Sequence, residues 1–356
     1  MSETGAYDAL DRFLHRMAFA SLPIQRDLAD IEEKMFARQL STDDVGPPVF
    51  VTSLPRAGTT LVLECIASVS GFATHIYRDM PFLLCPLLWD SISRGFRHKH
   101  VDTPRAHGDG MMIGYDTAEA FDEVLWHLFW PDKYNASRIS LWQSKDRSAE
   151  FEKFLRLHMR KIVALRAPGG RYLSKNNANI ARTDLLRTLF PECVILVPFR
   201  HPIRQATSLL RQHKNFLDIH NRDPFTKRYM ESLGHFEFGQ LRRTISFPGF
   251  EDASNFDPLG LEYWLRYWIA AFEYLLLKQE SGSLVFFGMD TACENPASAL
   301  TDLADVLKID ATALVAQSPK FRAPSPIADA GDVAREIFDR ALDVHGRLLN
   351  AALRRA

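Results

Sequence analysis

The stretch that decides the fold is VFVTSLPRAGTTLVLECIASVSG, residues Val49 to Gly71. Its first five residues, Val49–Ser53, have the composition of a strand, and an apolar helical pattern begins at Thr59. Between them lies a tight turn with a proline, an arginine and a glycine. The first N–H groups of a helix lack partners within the helix and carry the positive end of its dipole. A strand, a turn and a helix start of this kind therefore predict an anion site.

The side chains of the turn suit a phosphate group. Gly58 lets the backbone approach a ligand closely, and Thr59 and Thr60 supply hydroxyl donors. Arg56, which Ala57 separates from the glycine, supplies a forked cationic donor. The Gly-Lys-Ser or Gly-Lys-Thr of nucleotide-triphosphate loops is absent, because Thr59 occupies the lysine position. A plain strand-to-helix turn capped by Thr59 is the alternative interpretation of this segment alone.

A second stretch, CVILVPFRHPIRQATSLLRQH from Cys193 to His213, points to another anion contact. Its apolar start predicts a buried parallel strand, which ends at Arg200. An arginine at the carboxyl end of such a strand faces the crevice where α/β proteins bind ligands. Pro202 suits the first turn of a helix, and Ser208 lies on that helix, eight residues after the arginine. We expect Arg200 and Ser208 to share one phosphate.

The rest of the chain predicts an α/β fold with a central parallel sheet flanked by helices. Strand patterns recur within 170–177, 192–199 and 283–290, and helical patterns lie between them. We expect one domain, with a helical extension at 1–45, an α/β core at 46–310 and a helical tail at 311–356. Residues 91–118 and 218–260 show no clear period and read as a long loop and an irregular excursion.

Composition limits the possible partners and the compartment. The 356 residues carry a formal net charge of −1, so no overall field favours nucleic acid. The four cysteines lack metal-ligand spacing and read as reduced thiols. The N-terminus is polar, unlike a signal peptide, and no apolar run approaches the roughly 20 residues of a membrane span. These features favour a cytoplasmic protein without a transmembrane segment.

The two phosphate-binding stretches resemble a known family. PRAGTT resembles the loop that binds the 5'-phosphosulfate in sulfotransferases that use 3'-phosphoadenosine 5'-phosphosulfate (PAPS). FRHPIRQATS resembles their 3'-phosphate motif. The resemblance covers roughly residues 49–70 and 172–208, with a weaker likeness at 284–309. It implies a P-loop-like three-layer fold, with residues 56–60 at the 5' end of PAPS and the pair Arg200 and Ser208 at the 3'-phosphate.

Sulfuryl transfer resembles phosphoryl transfer, so catalysis needs cations on the leaving phosphate, donors for the sulfonyl oxygens and a base. We expect Arg56 and Lys175 to be these cations, Lys175 by its match to a family lysine. No metal is expected. The sequence departs from cytosolic family members because their Gly-Asp-Trp-Lys segment is absent, with Lys320 and Arg322 as the nearest basic candidates.

The base is predicted from the segment GFATHIYRDMPF, where many family members carry a glutamate. Asp79 matches that position best, although it is an aspartate. His75 lies four residues earlier, and imidazole groups titrate near neutral pH. Glu64 and the region 105–123 are the remaining candidates.

The histidine-rich and acidic residues between 98 and 123 allow several interpretations. Arg105, His107 and Asp109 lie in a glycine-rich loop that suggests a lid over the acceptor. A metal site of His98, His100 and His107 is a weak alternative, because no carboxylate follows at ligand spacing. Glu119 and Glu123 share one face of a predicted helix, where they contact either an acceptor or solvent. Asn176, Asn177 and Asn179 are candidates for substrate contacts or helix caps.

Three functions remain open. The first is transfer of a sulfuryl group from PAPS to a hydroxyl or amine of a small-molecule, lipid or carbohydrate acceptor. The second is an unusual nucleotide kinase or ATPase, which the missing loop lysine disfavours. The third is a nucleotide-binding protein without catalytic activity, which needs Arg200 and Ser208 but neither Arg56 nor Lys175.

Overall fold

A computed structural model describes residues 22–40, 45–94, 103–104, 112–113, 121–251, 255–279, 284–324, 326–329, 331 and 333–353. The strands are β1 (Gly46–Val51), β2 (Phe72–Ala73), β3 (Thr103–Pro104), β4 (Met112–Ile113), β5 (Arg138–Ile139), β6 (Arg171–Lys175), β7 (Val194–Phe199), β8 (Thr244–Ile245) and β9 (Leu284–Gly288). The helices are α1 (Leu22–Met35), α2 (Ala37–Leu40), α3 (Thr59–Ala67), α4 (Pro86–Ser93), α5 (Asp122–Phe129), α6 (Ala149–Arg166), α7 (Thr183–Leu189), α8 (Pro202–Arg222), α9 (Pro224–Ser232), α10 (Leu261–Gln279), α11 (Met289–Glu294), α12 (Pro296–Leu307), α13 (Ala311–Val315) and α14 (Arg335–Ala351).

Five strands form the central sheet in the order β2-β6-β1-β7-β9, and every neighbouring pair is parallel. The prediction of an α/β fold with a central parallel sheet is therefore confirmed. β1 lies in the middle, between β6 and β7, so its carboxyl end has a neighbouring strand end on each side. Crevices in open α/β sheets form at such positions, where chain connections leave in opposite directions.

The sheet separates two apolar cores, as the period of two along a strand requires. Val49 and Val51 face the core that contains α3 and α12, while Phe50 faces the larger core with α10. Helices therefore cover both faces, and the strand is fully buried. This burial explains why β1 reads as an unbroken apolar run instead of an alternating one.

The C-terminal helix completes the larger core. α14 buries Ile337, Ala341, Val344 and Leu348, and Ala352 forms a parallel bridge with Phe286 of β9. The tail thus packs on the α/β core, although the predicted division of the chain at residues 45 and 310 stays a prediction.

Two regions differ from the expected pattern. The segment 218–260 holds helix α9, which Asp223 caps by accepting a hydrogen bond from the Phe225 N–H. The expectation of an irregular excursion is therefore wrong for this helix. Its Asp-Pro start is also typical of turns, so the sequence pattern does not distinguish the two. The long loop expected at 91–118 is also wrong in part, since α4 continues to Ser93 and β3 pairs with β4.

Within the described ranges, no helix combines the length and apolar character needed to cross a bilayer. The four cysteines are free thiols; Cys65, Cys85 and Cys193 are buried and Cys293 is partly buried. Burial raises the pKa of Cys65 to about 11 and that of Cys85 to about 12. These two thiols therefore stay protonated and unreactive at neutral pH.

Candidate functional site

Three neighbouring strands end at the same edge of the sheet, and each end carries residues that the sequence singled out. In the sheet register Val51 lies beside Lys175 of β6 and beside Leu196 of β7. The loop after β1 leads to Gly58, and β7 leads to Arg200. The loop, the lysine and the arginine are thus brought to one edge by the parallel pairing alone.

The loop after β1 has a backbone that a phosphate-binding turn requires. Arg56 and Gly58 both have positive φ, +66° and +91°. Gly58 immediately precedes α3, and no side chain caps the first N–H groups of that helix. A Cβ atom on Gly58 would lie 2.6 Å from Cε of Met289. Only glycine fits this position without moving its neighbour.

The two predicted phosphate contacts meet directly. Arg56 Nε donates a hydrogen bond to Ser208 Oγ at 3.1 Å, and an Arg200 Nη1 lies 3.5 Å from the carbonyl oxygen of Arg56. The loop after β1 and the helix after β7 therefore border each other. The residues predicted for the two phosphate contacts thus lie side by side at one edge of the sheet.

Asp290, which the sequence analysis missed, fixes the start of α8. Its carboxylate accepts a hydrogen bond from the His201 N–H at 2.6 Å and pairs with Arg204 at 2.8 Å. Arg200 Nε lies 3.9 Å from the same carboxylate. An aspartate directly after β9 was the available signal, because β9 ends next to β7 in the sheet.

Gln205, which the sequence analysis also missed, holds the loop after β1 in place through its buried side chain. Its side-chain amide donates to the carbonyl oxygens of Leu54 and Pro55, at 3.2 and 3.0 Å. Its amide oxygen accepts the indole N–H of Trp268 at 3.0 Å. The side chain is fully buried, so these bonds are protected from water. The phosphate loop is thereby tied to α8 and α10.

A cavity opens next to the loop on the side of Lys175. Its polar lining residues are Glu123, Lys175, Asn176, Asn177, His235, Glu237, Arg243 and Thr244. Its apolar walls include Leu54, Ile139, Phe236, Ile245, Trp264 and Tyr267. The cavity thus combines several charged side chains with largely aromatic and aliphatic walls, which is the usual character of a small-molecule site.

One amide side chain links the phosphate loop to the cavity. Thr59 Oγ1 donates to Asn177 Oδ1 at 3.4 Å, and Asn177 Nδ2 donates to Glu237 Oε1 at 3.3 Å. The neighbouring Asn176 caps the short helical turn that follows, by accepting a hydrogen bond from the Ala178 N–H. Asn176 therefore has the capping role, whereas Asn177 spans the loop and the cavity.

Glu237 and His235 form the acidic and imidazole part of the cavity. His235 Nδ1 lies 3.8 Å from Glu237 Oε2, and their side chains are 19% and 27% exposed. Burial acts to raise the pKa of Glu237, but contacts with His235 and the charge of Lys175 lower it to about 2. Glu237 is therefore a carboxylate at any pH near neutral.

Asp79 and His75, the two predicted bases, lie in a buried ion cluster. Asp79 is 3% exposed and His75 1%. The Asp79 carboxylate accepts hydrogen bonds from Arg166 and from the Ile76 N–H, and it lies 2.8 Å from His75 Nδ1. Burial acts to raise the pKa of Asp79, but these partners lower it below its ordinary value. His75 Nε2 in turn lies 2.8 Å from His158. Neither predicted base lines the cavity beside Lys175.

Glu123 lines the cavity, but it holds the wall of the site together. Its carboxylate accepts hydrogen bonds from Tyr134, Asn176 and Arg182. The Arg182 guanidinium is fully buried, and it stacks between the rings of Trp126 and Trp142. Solvent exposure, one of the two readings for this residue, is excluded by its burial.

The remaining candidates lie apart from the cavity or outside the described residues. Glu64 is partly buried on α3, and Lys320 and Arg322 are exposed. Six further candidates lie outside the described residues, namely His98, His100, Arg105, His107, Asp109 and Glu119. Among the described side chains, no three histidine, cysteine or acidic groups lie close enough together to hold a metal ion.

A comparison with protein-family models confirms the family that the two sequence stretches resemble. The model of the sulfotransferase family matches residues 47–243, which is more than half of the chain. The chain therefore belongs to the sulfotransferase family. No curated protein sequence matches it.

Several solved structures are similar at low identity. Sulfotransferase STF9 from Mycobacterium avium is 11% identical, with a TM-score of 0.49. The match covers 90% of this chain and 80% of the STF9 chain. Sulfotransferase STF1 from Mycobacterium tuberculosis H37Rv is 14% identical, with a TM-score of 0.47. The match covers 94% of this chain and 86% of the STF1 chain. A sulfotransferase from Alicyclobacillus acidocaldarius is 10% identical, with a TM-score of 0.40. The match covers 88% of this chain and 98% of the Alicyclobacillus chain.

Proposed function

We propose that this protein transfers a sulfuryl group from PAPS to a hydroxyl group of a small acceptor. The observation that carries the proposal is the contact between Arg56 Nε and Ser208 Oγ at 3.1 Å. PAPS has one phosphate at its 3' position and a phosphosulfate at its 5' position. Two bordering anion sites at the ends of adjacent parallel strands suit such a molecule.

The residues divide into donor binding and transfer. Arg200 and Ser208 bind the 3'-phosphate, while the N–H groups at the start of α3 and the side chains of Thr59 and Thr60 bind the 5' end. Arg56, by its position between the two sites, neutralises charge on the leaving phosphate. Lys175 does the same from the opposite side of the loop, at the end of β6. Protein cations thus stabilise the leaving group, and we expect no metal requirement.

The acceptor enters from the cavity beside Lys175. Aromatic and aliphatic walls favour an acceptor with an apolar body, and the charged side chains place its hydroxyl beside Lys175. A long anionic polymer would need cations along its track, whereas the described cavity residues provide Lys175 and Arg243. A small amphiphilic or aromatic alcohol fits this lining best.

Calorimetry with 3',5'-adenosine bisphosphate, the product that keeps both phosphates, tests the donor assignment. Arg200→Ala should weaken binding by roughly 10- to 150-fold, since a hydrogen bond to a charged group contributes about 1.5–3 kcal/mol. Arg211→Ala, which removes an exposed arginine from the same helix, is the matched control and should bind normally. Stabilisation by ATP with Mg²⁺ but not by the bisphosphate would reject the proposal in favour of a kinase or ATPase.

A further inference from the structure

The cavity contains more than one group that can accept a proton, and the contacts separate them. Among the described lining residues these groups are Glu123, His235 and Glu237. Glu123 is committed to Tyr134, Asn176 and Arg182, so it has little capacity left for a substrate. Glu237, with a pKa of about 2, is ionised but is a weak base.

His235 has the chemistry that both carboxylates lack. A neutral imidazole has a ring nitrogen that can take a proton from an acceptor hydroxyl, and no described side chain is within hydrogen-bond distance of the His235 ring. Its Nδ1 lies 3.8 Å from Glu237 Oε2, which is beyond hydrogen-bond distance but close enough for their charges to interact, and Nε2 is the ring nitrogen on the side away from this contact. The carboxylate can then stabilise the imidazolium that forms, as the acidic member of a catalytic triad does.

The backbone turns sharply at Gly234, directly before His235, which lines the cavity. Gly234 ends helix α9 with a φ of +76°, and the His235 N–H donates to the Met230 carbonyl. A Cβ atom on Gly234 would lie 2.6 Å from Cγ of Glu123. Glycine is therefore required both by the turn and by the close approach of the segment to α5.

We propose that His235 is the general base of the reaction and that Glu237 is its positioning residue, in place of Asp79 or His75. This inference rests on the proposed sulfuryl transfer. Asn177 connects Glu237 to Thr59 of the phosphate loop, so the pair lies one amide group away from the donor site.

The step balances as follows. The acceptor oxygen forms a bond to sulfur while its proton moves to His235 Nε2. The bond between sulfur and the bridging oxygen of the phosphosulfate breaks, and its electron pair stays on the 5'-phosphate. Lys175 and Arg56 neutralise that charge. The products are the sulfate ester and 3',5'-adenosine bisphosphate, and His235 later releases its proton to solvent.

The charged groups around His235 define the pH dependence that the pair should show. Glu237 and Glu123 supply negative charge in the cavity, and Lys175 and Arg243 supply positive charge. Replacing Glu237 with glutamine removes the nearest anion, so the imidazolium becomes less stable. The acid limb of the kcat/KM profile should then move to lower pH, a shift that a merely structural role would not produce.

The test measures transfer from sulfur-labelled PAPS to 2-naphthol and, separately, to water. His235→Gln should lower kcat for both by about 10²–10⁴ while bisphosphate affinity stays within twofold. In His235→Ala, added imidazole should restore part of the lost rate. His127→Gln is the matched control, because that histidine packs against Phe236 but does not line the cavity.

Several results would overturn the inference. A kcat of His235→Gln equal to that of the wild type would contradict the role of His235. An acid limb of the kcat/KM profile at the same pH in Glu237→Gln and in the wild type would contradict the role of Glu237. A large loss in Asp79→Asn with normal turnover in His235→Gln would return the role to Asp79. If the unchanged protein binds the bisphosphate but transfers nothing to 2-naphthol or water, sulfuryl transfer itself is contradicted. Bisphosphate binding with selective failure of the His235 prediction would leave the proposed function intact.

Discussion

Arg56 and Ser208 are 152 residues apart in sequence, and Arg56 Nε donates a hydrogen bond to Ser208 Oγ at 3.1 Å. This contact joins the loop after β1 to the helix after β7. The side chains come from the two stretches that separately indicate phosphate binding. Their contact brings the two predicted phosphate-binding stretches together, as the proposed binding of a donor with two anionic groups requires.

Ser208→Ala should weaken binding of 3',5'-adenosine bisphosphate by about tenfold or more. The variant removes the hydroxyl that we propose as a donor to the 3'-phosphate, and a hydrogen bond to a charged group contributes about 1.5–3 kcal/mol. Titration calorimetry measures the change. Thr207→Ala removes a hydroxyl from the neighbouring helix position and should leave the affinity unchanged. Equal affinities for Ser208→Ala and wild type would contradict the assignment of the 3'-phosphate.

Gly58→Ala should reduce bisphosphate affinity and stability, because the new Cβ meets Met289 and must adopt positive φ. Gly71 provides a matched control, since its φ of +92° is nearly equal to the +91° of Gly58 and nothing lies within 4 Å of its Cβ position. Gly71→Ala should lose about 1–2 kcal/mol of unfolding free energy from backbone strain alone.

Chemical denaturation and calorimetry on both glycine variants separate strain from the steric clash. We expect normal affinity in Gly71→Ala and weakened affinity in Gly58→Ala. Equal effects of the two substitutions on affinity would show that the close approach to Met289 has no role in the anion site.

Gln205→Leu should destabilise the protein by at least about 2 kcal/mol and weaken anion binding. The substitution leaves two loop carbonyls and the Trp268 N–H without their buried partner, and each unsatisfied group costs about 1–3 kcal/mol. Gln212→Leu is the control on the same helix. Gln212 is also buried, and its Nε2 has no partner within the described part of the chain. Urea unfolding that gives the same loss for both variants would contradict the loop-fixing role of Gln205.

Acid should destabilise the fold through His213 before the carboxylates titrate. Burial, and then the charge of Arg242, lowers the pKa of His213 from 6.5 to about 4. Its Nδ1 accepts the Gly239 N–H at 3.1 Å, a bond that needs the neutral ring. The unfolded chain binds the proton first as pH falls, so the stability is complete above pH 6.5 and declines down to about pH 4.

The slope of this loss is measurable. One such group changes the unfolding free energy by about 1.4 kcal/mol per pH unit within its window. Urea unfolding from pH 7 to pH 4.5 should give a shallower decline for His213→Gln than for wild type. Parallel declines in the two proteins would show that His213 is not the group responsible.

Much of the fold could be predicted from local sequence. β7 and α8 follow from an apolar run and a Pro-initiated helix, and the crossover after β1 follows from a strand that runs into an apolar helix. The strand end at Arg200 also follows from local sequence. These features depend on residues close together in the chain, where periodicity and turn chemistry decide the structure.

The missing part of the site depends on contacts between distant segments. Gln205 and Asp290 act on segments more than 80 residues away, and the sequence marks only Asp290, by its place just after a strand. The segment with His235 and Glu237 has no strand or helix period, so its pattern predicts an irregular excursion. The glycine before His235, at the end of a helical pattern, is the one local signal there. A place in a family motif favours Asp79 as the base, but its burial among charged partners is not visible from sequence.

The most direct test of the central claim is the rate of labelled sulfuryl transfer from PAPS in the presence of EDTA. We expect the wild-type protein to form a labelled sulfate ester with an apolar alcohol at the same rate with and without chelator. Lys175→Ala should lower kcat while leaving bisphosphate affinity nearly unchanged, because Lys175 acts on charge that grows in the transition state. Absence of labelled transfer to any alcohol, with bisphosphate bound normally, would contradict the account and leave a nucleotide-binding protein.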